Sequence, residues 1–531
     1  MKIKNYDTFG VMIDMSRNAV MSVEALKKYL PYLAKMGYNC VMLYTEDTYE
    51  VEGEPFFGYM RGRYSMDELR ELDAYADSLG IELIPCIQSL AHYTAFVHWN
   101  KVPVDIDDTL MVGDERTYEF IENTIASVRK CFKTNRIHVG MDEAWKLGRG
   151  KYHNKNGCES ATSIMEKHLA RVNEIVKKYD FEPMIWSDMF FRSFNNNQYY
   201  IPKIDMPREV VESLPENVTP VYWDYYQTDA QIYEDMLCNH EQLSDKTWFA
   251  GGAWTWIGFM PSNRFSIDTM TLALDACRRH KVKNVFFTMW GDNGAECSRY
   301  AVLPSLLYFA EYARGNKDEA KIKAKFKRIF GAEYDDFMAL DDLNMAFQTM
   351  EKPRSTGVKQ ALYSDLFNGF MDAKLREGFE KKFAEASEKY AASAKKYRKW
   401  GYLFDSAAKL TAALAIKYDL GLRTRKAYQA GDKAELLRLA SEDYAKVHKM
   451  LQSFLRAFEK QWFTENKTCG FDVQDIRIGG VLQRVDSCRR RLLDYAKGKI
   501  DRIEELEVEL IDLGSYKPGH NYREMVTANV L

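Results

Sequence analysis

Residues 10–37 read GVMIDMSRNAVMSVEALKKYLPYLAKMG and contain a strand, a polar loop and a helix in succession. The apolar run Gly10–Met15 is typical of a strand that is buried on both faces. A helical spacing of apolar residues then begins after Ser22, a predicted N-cap, and ends at Gly37, a predicted C-cap. Pro31 interrupts this helical pattern, so we expect a kink or an early end there.

The same alternation of short apolar runs and helical periodicity continues as far as residue 312. Seven further runs predict strands: Cys40–Tyr44, Ile81–Ile87, Arg136–Met141, Pro183–Trp186, Pro220–Trp223, Trp248–Trp254 and Asn284–Trp290. The helix after the second run begins with the capping box Ser65-Met-Asp-Glu68 and ends at Gly80. Eight strand–helix units in about 300 residues predict an α/β fold, the (β/α)8 TIM barrel.

An open doubly wound sheet is the alternative fold for this alternation. Such a sheet usually carries a glycine-rich phosphate-binding turn directly after its first strand. Here the first strand leads into Asp14-Met-Ser-Arg-Asn18, which contains no glycine. The barrel is therefore the predicted fold of the first part of the chain.

The second part of the chain has a different composition. Only two of the 13 prolines, Pro353 and Pro518, follow Pro304, and proline is depleted where long helices dominate. Amphipathic helices are predicted at 366–400, 403–430, 432–463 and 476–510. We therefore divide the chain into a barrel domain, 1–312, and a C-terminal α-helical domain, 313–531.

The aromatic stretch 458–471, which contains Trp462, interrupts these helices. It predicts either a buried anchor or an element at the mouth of a pocket. The amphipathic helices must bury their apolar stripes against the barrel or a partner chain, so we also expect a homodimer.

The charge balance and the cysteine pattern exclude several classes of protein. The chain has 531 residues, with 74 Lys+Arg against 77 Asp+Glu. A net charge of −3 provides no basic surface for nucleic acid. The nine cysteines form no CxxC pair, which argues against a zinc site or a disulfide framework and favours a reducing compartment. With no apolar signal segment or membrane-spanning run, we expect a cytoplasmic protein without membrane contact.

Acidic and aromatic residues follow most of the predicted strands, at the end of a barrel where functional residues lie. This arrangement suits a sugar, because aromatic faces cover its C–H groups and carboxylates bind its hydroxyls. The candidates include Asp14, Arg17, Tyr44, Glu46, Gln88, His92, Asp142, Glu143, Trp186, Asp188, Trp223, Asp224, Tyr225, Trp254, Trp290, Asp292 and Glu296.

The most informative motif is His138-Val-Gly-Met-Asp142-Glu143, in which two adjacent carboxylates close an apolar strand. Two neighbouring negative charges raise one pKa, and a carboxyl group with a raised pKa is suited to general acid catalysis. Taken alone, the motif fits a strand that ends in two solvated acids equally well.

In its context, the motif resembles the H-x-G-x-D-E signature of glycoside hydrolase family 20, the β-N-acetylhexosaminidases. That family has a (β/α)8 barrel with the signature at its fourth strand, where it also falls here. The resemblance covers about residues 8–312. Two features differ from the family pattern: the chain enters its first strand without the usual N-terminal α/β domain, and Trp290-Gly-Asp292 replaces the frequent W-x-E. This leaves either Asp292 or Glu296 as the ligand of a substrate hydroxyl.

The resemblance implies an exo-acting, retaining enzyme that cleaves terminal β-linked N-acetylglucosamine or N-acetylgalactosamine without a metal or cofactor. The acetamido group of the substrate acts as the nucleophile. Glu143 would be the general acid, and Asp142 would orient the acetamido group. The implied substrate-binding residues are Arg17, His92, Trp186, Tyr225 (preferred to Tyr226), Trp254, Trp290 and Asp292 or Glu296.

Two other functions remain open at this stage. A metal-dependent barrel hydrolase would use His92, His138 and Asp142, but a second strand-end histidine pair is missing from the sequence. Otherwise His138 is expected to be structural and bonded to an acid. A catalytically silent sugar-binding protein is the second alternative, although it would have no need of a general acid.

Overall fold

The computed structural model describes residues 3–347, 357–514 and 521–530. Eight parallel strands form a closed barrel in the order β1-β10-β9-β8-β7-β6-β3-β2, so the TIM-barrel prediction is confirmed. A small antiparallel hairpin, β4–β5, lies outside it. The strands are β1 (Thr8–Asp14), β2 (Cys40–Tyr44), β3 (Glu82–Cys86), β4 (Val104–Ile106), β5 (Thr109–Leu110), β6 (Arg136–His138), β7 (Glu182–Trp186), β8 (Thr219–Trp223), β9 (Trp248–Gly252) and β10 (Asn284–Met289).

Helices alternate with these strands and pack around the barrel. Their bounds are α1 (Val23–Met36), α2 (Met66–Ser78), α3 (Thr94–Val97), α4 (Glu115–Arg129), α5 (Lys151–Asn156), α6 (Ala161–Lys178), α7 (Asp188–Arg192), α8 (Arg208–Glu212), α9 (Ala230–Leu243), α10 (Asn263–Arg279) and α11 (Leu303–Ala313). Short 3-10 turns occupy Asp292–Gly294 and Arg299–Val302.

The caps predicted for the first two helices are present. Ser22 accepts a hydrogen bond from the Ala25 N–H, and Gly37 ends α1 in the left-handed conformation. The capping box at Ser65 is also formed. The expected early end at Pro31 is wrong, because α1 continues to Met36. Buried residues on both sides of the proline, among them Leu30 and Leu33, stabilise this helix against the barrel.

A second bundle of helices follows the barrel. Its members are α12 (Glu319–Phe330), α13 (Tyr334–Met338), α14 (Asp342–Phe347), α15 (Gly357–Tyr363), α16 (Phe379–Lys396), α17 (Gly401–Lys417), α18 (Leu420–Gln429), α19 (Lys433–Arg438), α20 (Ala445–Glu465), α21 (Phe471–Ala496), α22 (Glu504–Glu507) and α23 (Tyr522–Val526). A π-helical turn, Leu439–Tyr444, joins α19 to α20.

Two predicted helices are longer than the observed ones. The helix predicted from 366 begins only at Phe379, after the left-handed Gly378. The helix predicted to reach 510 ends at Ala496, and Gly498 follows in the left-handed conformation. Both ends lie at a glycine that leaves the helical region of backbone space.

The turn between α20 and α21 anchors the helical part to the barrel. The Lys467 N–H donates to Val20 O at 2.7 Å, and Lys467 Nζ donates to Glu68 at 2.8 Å. Trp462 is buried, and its indole N–H donates to Lys467 O at 3.0 Å. Of the two interpretations of this stretch, the structure supports the buried anchor.

Within the described ranges, no helix combines the length and the apolar character needed to cross a membrane.

Candidate active site

The carboxyl ends of the barrel strands surround an open pocket of about 450 Å³. Among the predicted site residues, the pocket brings together Arg17, His92, Asp142, Glu143, Trp186, Tyr225, Trp290 and Asp292. Tyr44, Trp223 and Tyr226 complete the lining.

The acid-pair loop, residues 139–143, directly follows β6 and carries Asp142 and Glu143 into the pocket. The strand was predicted to continue to Met141, but it ends at His138, because Gly140 and Met141 both have positive φ angles. A Cβ atom at Gly140 would lie 2.1 Å from Gln88 Oε1, so only glycine fits this turn.

Gln88, at the end of β3, fixes the acid-pair loop from the adjacent strand. Its side-chain oxygen accepts the Met141 N–H at 3.1 Å, and its Nε2 donates to Asp142 Oδ1 at 2.7 Å. The same Nε2 donates to the Tyr44 hydroxyl at 2.9 Å. The amide of Gln88 therefore determines both the backbone path of the loop and the orientation of Asp142.

His92 pairs with the acids on the pocket side. Its Nε2 lies 3.2 Å from Asp142 Oδ2 and 3.8 Å from Glu143 Oε2. The N–H is not aligned with an acceptor, so the contact is an ion pair rather than a well-formed hydrogen bond. Burial alone would lower the pKa of His92, but Asp142 and Glu46 raise it to about 10. The imidazole is thus a cation at neutral pH.

The two adjacent acids differ in their protonation behaviour. Burial favours the neutral form of Asp142, but His92 and Gln88 outweigh it and lower its pKa below the ordinary value of 3.8. Burial raises the pKa of Glu143 to about 7, with a further contribution from Asp142. At neutral pH the site therefore holds one carboxylate and one carboxyl group near half protonation.

Asp188 and Arg192, both on α7, stabilise the backbone of Glu143. Asp188 Oδ2 accepts the Glu143 N–H at 3.2 Å and a hydrogen bond from Arg192 Nε at 2.8 Å. Glu143 itself has a φ of 53°, a conformation that costs a non-glycine residue energy. The fully buried Asp188 thus supports the backbone on which the acid is mounted rather than lining the pocket.

Aromatic rings form the pocket walls. The Trp186 and Trp290 rings lie 6.2 Å apart, and Tyr44 meets Trp290 edge to face at 4.7 Å. Trp223 stacks on Tyr225 with their planes 18° apart. Within the described residues the buried indole N–H groups of Trp186 and Trp223 have no hydrogen-bond partner. An aromatic wall with spare donors suits a ligand that carries both C–H faces and oxygen atoms.

Arg17 and Asp292 face each other where the barrel closes between β1 and β10. Arg17 Nε lies 3.8 Å from Asp292 Oδ1 and 3.7 Å from Asp14 Oδ2. Burial would lower the pKa of Arg17, but Glu46, Asp292 and Asp14 raise it well above its usual range. This corner of the pocket therefore offers a fixed positive charge beside a half-exposed carboxylate.

Two predicted ligands lie outside the pocket lining. Trp254 is fully buried behind the pocket wall, where it stacks on Trp256 at 4.2 Å and its indole N–H donates to Tyr225 O at 3.0 Å. Glu296 is also buried and forms an ion pair with Lys359 at 2.8 Å. Of the two residues left open as the hydroxyl ligand, Asp292 lines the pocket.

His138 and Asp224 have structural positions. His138 is buried against Trp186, and its Nδ1 accepts the Gly140 N–H at 3.1 Å, so its observed partner is a backbone amide and not the expected acid. Asp224 is buried and accepts hydrogen bonds from the Tyr222 hydroxyl and the Tyr226 N–H.

Trp223, Tyr44 and Gln88 were among the strand-end candidates, but the implied set of substrate-binding residues left them out. Tyr44 and Trp223 end predicted strands, and Gln88 directly follows one, so the strand-end criterion that selected Trp186 and Trp290 already contained them. Tyr225 and Tyr226 both line the pocket. Lys359, which pairs with Glu296, has no local sequence signal.

One group in the pocket has the composition of a metal site. Ligand atoms of His92, Asp142 and Glu143 lie within 4.8 Å of one another. His138, the third ligand of the metal hypothesis, is not part of this group. A histidine whose pKa is raised to about 10 is a poor ligand, because metal binding requires the neutral imidazole.

The fold and the pocket together define a (β/α)8-barrel protein with a strand-end site of acids and aromatic rings. Two family models match the chain: "Glycosyl hydrolase family 20, catalytic domain" over residues 6–236, and "Glycoside Hydrolase 20C C-terminal domain" over residues 335–525. The chain belongs to glycoside hydrolase family 20.

Curated relatives match the barrel at low identity. Hexosaminidase D from Homo sapiens is 25% identical over 256 residues, covering 44% of this chain and 50% of the relative. Hexosaminidase D from Bos taurus is 24% identical over 245 residues, covering 44% of this chain and 65% of the relative. The chain thus spans about half to two thirds of the length of these relatives.

Among solved structures, a GH20 exo β-N-acetylglucosaminidase from Vibrio harveyi aligns with a TM-score of 0.47 and 15% identity, covering 63% of this chain and 58% of that one. A β-N-acetylhexosaminidase from Bacteroides fragilis aligns with a TM-score of 0.46 and 19% identity, covering 61% and 70%.

Proposed function

We propose that this protein is an exo-acting β-N-acetylhexosaminidase that removes terminal β-linked N-acetylglucosamine or N-acetylgalactosamine with retention of configuration. The observation that carries the proposal is the acid pair in an aromatic pocket. Asp142 is held as an anion, while Glu143 has a pKa of about 7. A general acid and a charge-stabilising carboxylate require this division of protonation states.

Glu143 would act first as the general acid. Its carboxyl group donates a proton to the glycosidic oxygen as the bond to the anomeric carbon breaks. It later takes a proton from the water that attacks the same carbon. A pKa of about 7 leaves both forms accessible near neutral pH, which a group that gives and then takes a proton needs.

Asp142 would support a nucleophile that belongs to the substrate. The carbonyl oxygen of the 2-acetamido group attacks the anomeric carbon, and the product is a cyclic oxazolinium ion. Its positive charge lies beside the Asp142 carboxylate, which also accepts a hydrogen bond from the acetamido N–H. His92 and Gln88 keep Asp142 ionised and oriented for this role.

The pocket walls would hold the sugar. Trp186, Trp223 and Trp290 would cover the acetamido methyl group and the C–H face of the ring. Tyr225 would donate to the acetamido oxygen, whereas Arg17 and Asp292 would bind ring hydroxyls. A pocket at the strand ends, lined by aromatic rings, favours a terminal sugar, which is the basis for proposing exo action.

Chromogenic aryl substrates test the proposal directly. Purified protein is expected to hydrolyse 4-nitrophenyl β-N-acetylglucosaminide, β-N-acetylgalactosaminide or both, with the β-anomer of the sugar as first product. Asp142→Asn is the active-site control, because the loss in Glu143→Gln is small for 4-nitrophenyl substrates. Asp245→Asn and Glu182→Gln, at exposed acids of the opposite end of the barrel, are the matched surface variants. Sugar binding without hydrolysis would instead favour the silent sugar-binding alternative.

The second candidate is the metal-dependent hydrolase, favoured only by the His92, Asp142 and Glu143 group. Metal analysis of the purified protein, together with assays after dialysis against a chelator, separates the two. Full activity without metal supports the glycosidase, whereas activity that returns only with zinc would support the alternative.

We keep the domain division at 312/313, a homodimer and a reducing, cytoplasmic location as proposals. Exposed apolar side chains on the helical part, Phe463 and Ile476 among them, support a partner surface. All nine cysteines, which lie within the described ranges, are free thiols, as a reducing compartment favours. Light scattering at micromolar concentration tests the dimer, and a monomer would refute it.

A further inference from the structure

The strand-10 loop, residues 291–296, carries Asp292 into the pocket and has an unfavourable backbone. Asn293 and Ala295 both have φ angles of 54°, and Gly294 has a φ of 139°. A Cβ atom at Gly294 would lie 2.3 Å from Glu296 Oε1. Non-glycine residues in this region of backbone space need neighbouring contacts to stabilise them.

The barrel contacts the base of this loop and its exit. Asp14 Oδ2 accepts the Gly291 N–H at 2.8 Å, which joins the loop to the end of β1. Arg299, just after the loop, donates to Asp14 O at 2.9 Å. These contacts fix the base of the loop.

The centre of the loop is held by the helical part. Arg477 donates to Asn293 O at 2.7 Å and to Asn293 Oδ1 at 3.0 Å. Lys359 donates to the same carbonyl at 2.8 Å, and Gln474 donates to Gly294 O at 2.7 Å. Lys359 and Gln474 are fully buried, so water does not compete for these contacts.

Buried ion pairs add to these hydrogen bonds between the helical part and the loop. Glu296 is paired with Lys359 at 2.8 Å and lies 3.6 Å from Arg477 Nη1. Glu296 thus brings two cations of the helical part to the loop. Asp292 lies in the chain between the barrel contact at Gly291 and the helical contacts at Asn293.

We infer that the helical domain completes the active site: Lys359, Gln474 and Arg477 are positioning residues that hold the strand-10 loop so that Asp292 faces the substrate. The inference rests on the proposed function for its kinetic consequence. It assigns the helical part a role in sugar recognition, exerted through Asn293 and Glu296 without contact with the sugar. The acid pair lies on the other side of the barrel and does not depend on these helical contacts, because Gln88 and Asp188 hold it.

The experiment compares two arginines of the helical part. Arg477→Met removes the two hydrogen bonds that Arg477 donates to Asn293. Arg425→Met is the matched control, because Arg425 also donates to backbone carbonyls, but to Phe367, Glu505, Leu506 and Val508 of the helical part. Steady-state kinetics on the aryl N-acetylglucosaminide are measured for both, with Tm as the measure of folding.

Arg477→Met is expected to raise KM about 10-fold, because a misplaced ligand weakens binding, while the pH at which kcat/KM falls on the alkaline side stays unchanged. Arg425→Met should lower Tm but leave KM close to that of the wild type. In the double variant Asp292→Asn/Arg477→Met, the loss should not exceed that of Asp292→Asn alone. Arg477→Lys, which can still donate to Asn293 O, should recover part of the loss.

Hydrogen exchange provides a readout that does not depend on activity. The amides of residues 291–296 should exchange faster in Arg477→Met than in Arg425→Met. If Arg477→Met does not fold, Asn293→Gly removes the amide that Arg477 holds while keeping the left-handed backbone accessible, and the same rise in KM is expected.

Three results would overturn the inference: equal KM values for the two arginine variants, unchanged exchange in the loop, or losses that multiply in the double variant. A wild-type protein that hydrolyses neither aryl substrate refutes the proposed function and with it the kinetic part of the inference. An active wild type with unaffected Arg477→Met refutes the inference alone.

Discussion

The acid-pair loop after β6 and the strand-10 loop after β10 both bring carboxylates to the pocket, but different parts of the chain hold them. Gln88 and Asp188, from the ends of the neighbouring strands β3 and β7, fix the acid-pair loop. The strand-10 loop depends on Asp14 on one side and on Arg477 on the other.

This difference separates two tasks within one pocket. The groups proposed to move protons are built entirely within the barrel, where adjacent parallel strands place them. The group proposed to bind a sugar hydroxyl depends on a second layer of structure, which can change without disturbing the acids. The comparison predicts that catalysis and recognition can be altered independently in this molecule, and four measurements test that separation.

The largest effect is expected for Glu143→Gln, which removes general-acid assistance worth roughly 10²–10⁴-fold in rate. The loss should be small for 4-nitrophenyl leaving groups and large for poor ones, because good leaving groups need less protonation. Rates across a series of aryl substrates provide the test. Equal losses across the series would contradict the assignment of Glu143, and Glu182→Gln should behave as the wild type.

Asp142→Asn should lower kcat by about 10²–10³-fold, since a neutral amide cannot stabilise the positive charge that develops on the acetamido group. A thiazoline analogue of the oxazolinium intermediate should bind the wild type far more tightly than this variant. Competitive inhibition constants measure the difference. A thiazoline that leaves the wild type uninhibited would exclude substrate assistance.

A smaller effect is expected on the other side of the pocket. Asp292→Asn should raise KM about 10-fold through loss of a charged hydrogen bond to a hydroxyl, with little change in kcat. Gluco- and galacto-configured substrates should be assayed in parallel, because they differ at one hydroxyl. Asp245→Asn, an exposed acid at the opposite end of the barrel, is the control. A loss confined to kcat would place Asp292 among the catalytic groups and remove the separation between the two loops.

The smallest effect concerns stability, and its sign differs between the two acids. The folded-state pKa of Glu143 lies above its ordinary value, so its contribution to stability is present below about pH 4.5 and is lost as the pH rises through about 7. Relative to the wild type, Glu143→Gln should therefore gain about 1–2 kcal/mol between pH 5 and pH 8, allowing for partial exposure of the side chain.

Asp142 should show the opposite sign. Its pKa is depressed, so its contribution is present above about pH 3.8 and is lost only as the pH falls further. Asp142→Asn should therefore lower stability at neutral pH. Urea unfolding at several pH values measures both variants. If the stability of both variants, relative to the wild type, changed in the same direction, the pKa values of the two carboxyl groups would not be shifted in opposite directions.

Much of the fold could be predicted from the sequence, because the signals are local. The short apolar runs mark the barrel strands, and Ser22, Gly37 and Ser65 mark helix ends with their own backbone chemistry. Pro31 was misleading since packing of its helix against the barrel outweighs the local cost of proline.

The candidate site was predictable to the extent that it follows strand order. Parallel strands in a closed barrel bring their carboxyl ends together, which is enough to gather Arg17, His92 and the acid pair. Trp254 shows the limit of that rule, because its indole N–H donates to Tyr225 O and its ring stacks on Trp256 instead of lining the pocket. Two residues beyond a strand, orientation depends on contacts that no sequence pattern records.

The helical contribution to the pocket is the part that sequence reasoning could not reach. Lys359 and Arg477 lie in ordinary amphipathic helices, and their sequence surroundings resemble those of many surface cations. Only the tertiary packing of α15 and α21 against the strand-10 loop distinguishes them. The buried position of Glu296 could not be predicted for the same reason, since its partners come from this distant segment.

The contact between Arg477 and Asn293 also has a consequence for protein synthesis. The two residues are 184 positions apart in the chain. A ribosome that adds about 5–20 residues per second needs roughly 10–40 s to cover that distance. Throughout this interval the nascent chain already contains Glu143 and the glutamine that orients its neighbour, but not the arginine that secures Asn293. Translation thus supplies Glu143 early and Arg477 late. A chain released before residue 477 would contain the acid but not the arginine that holds Asn293.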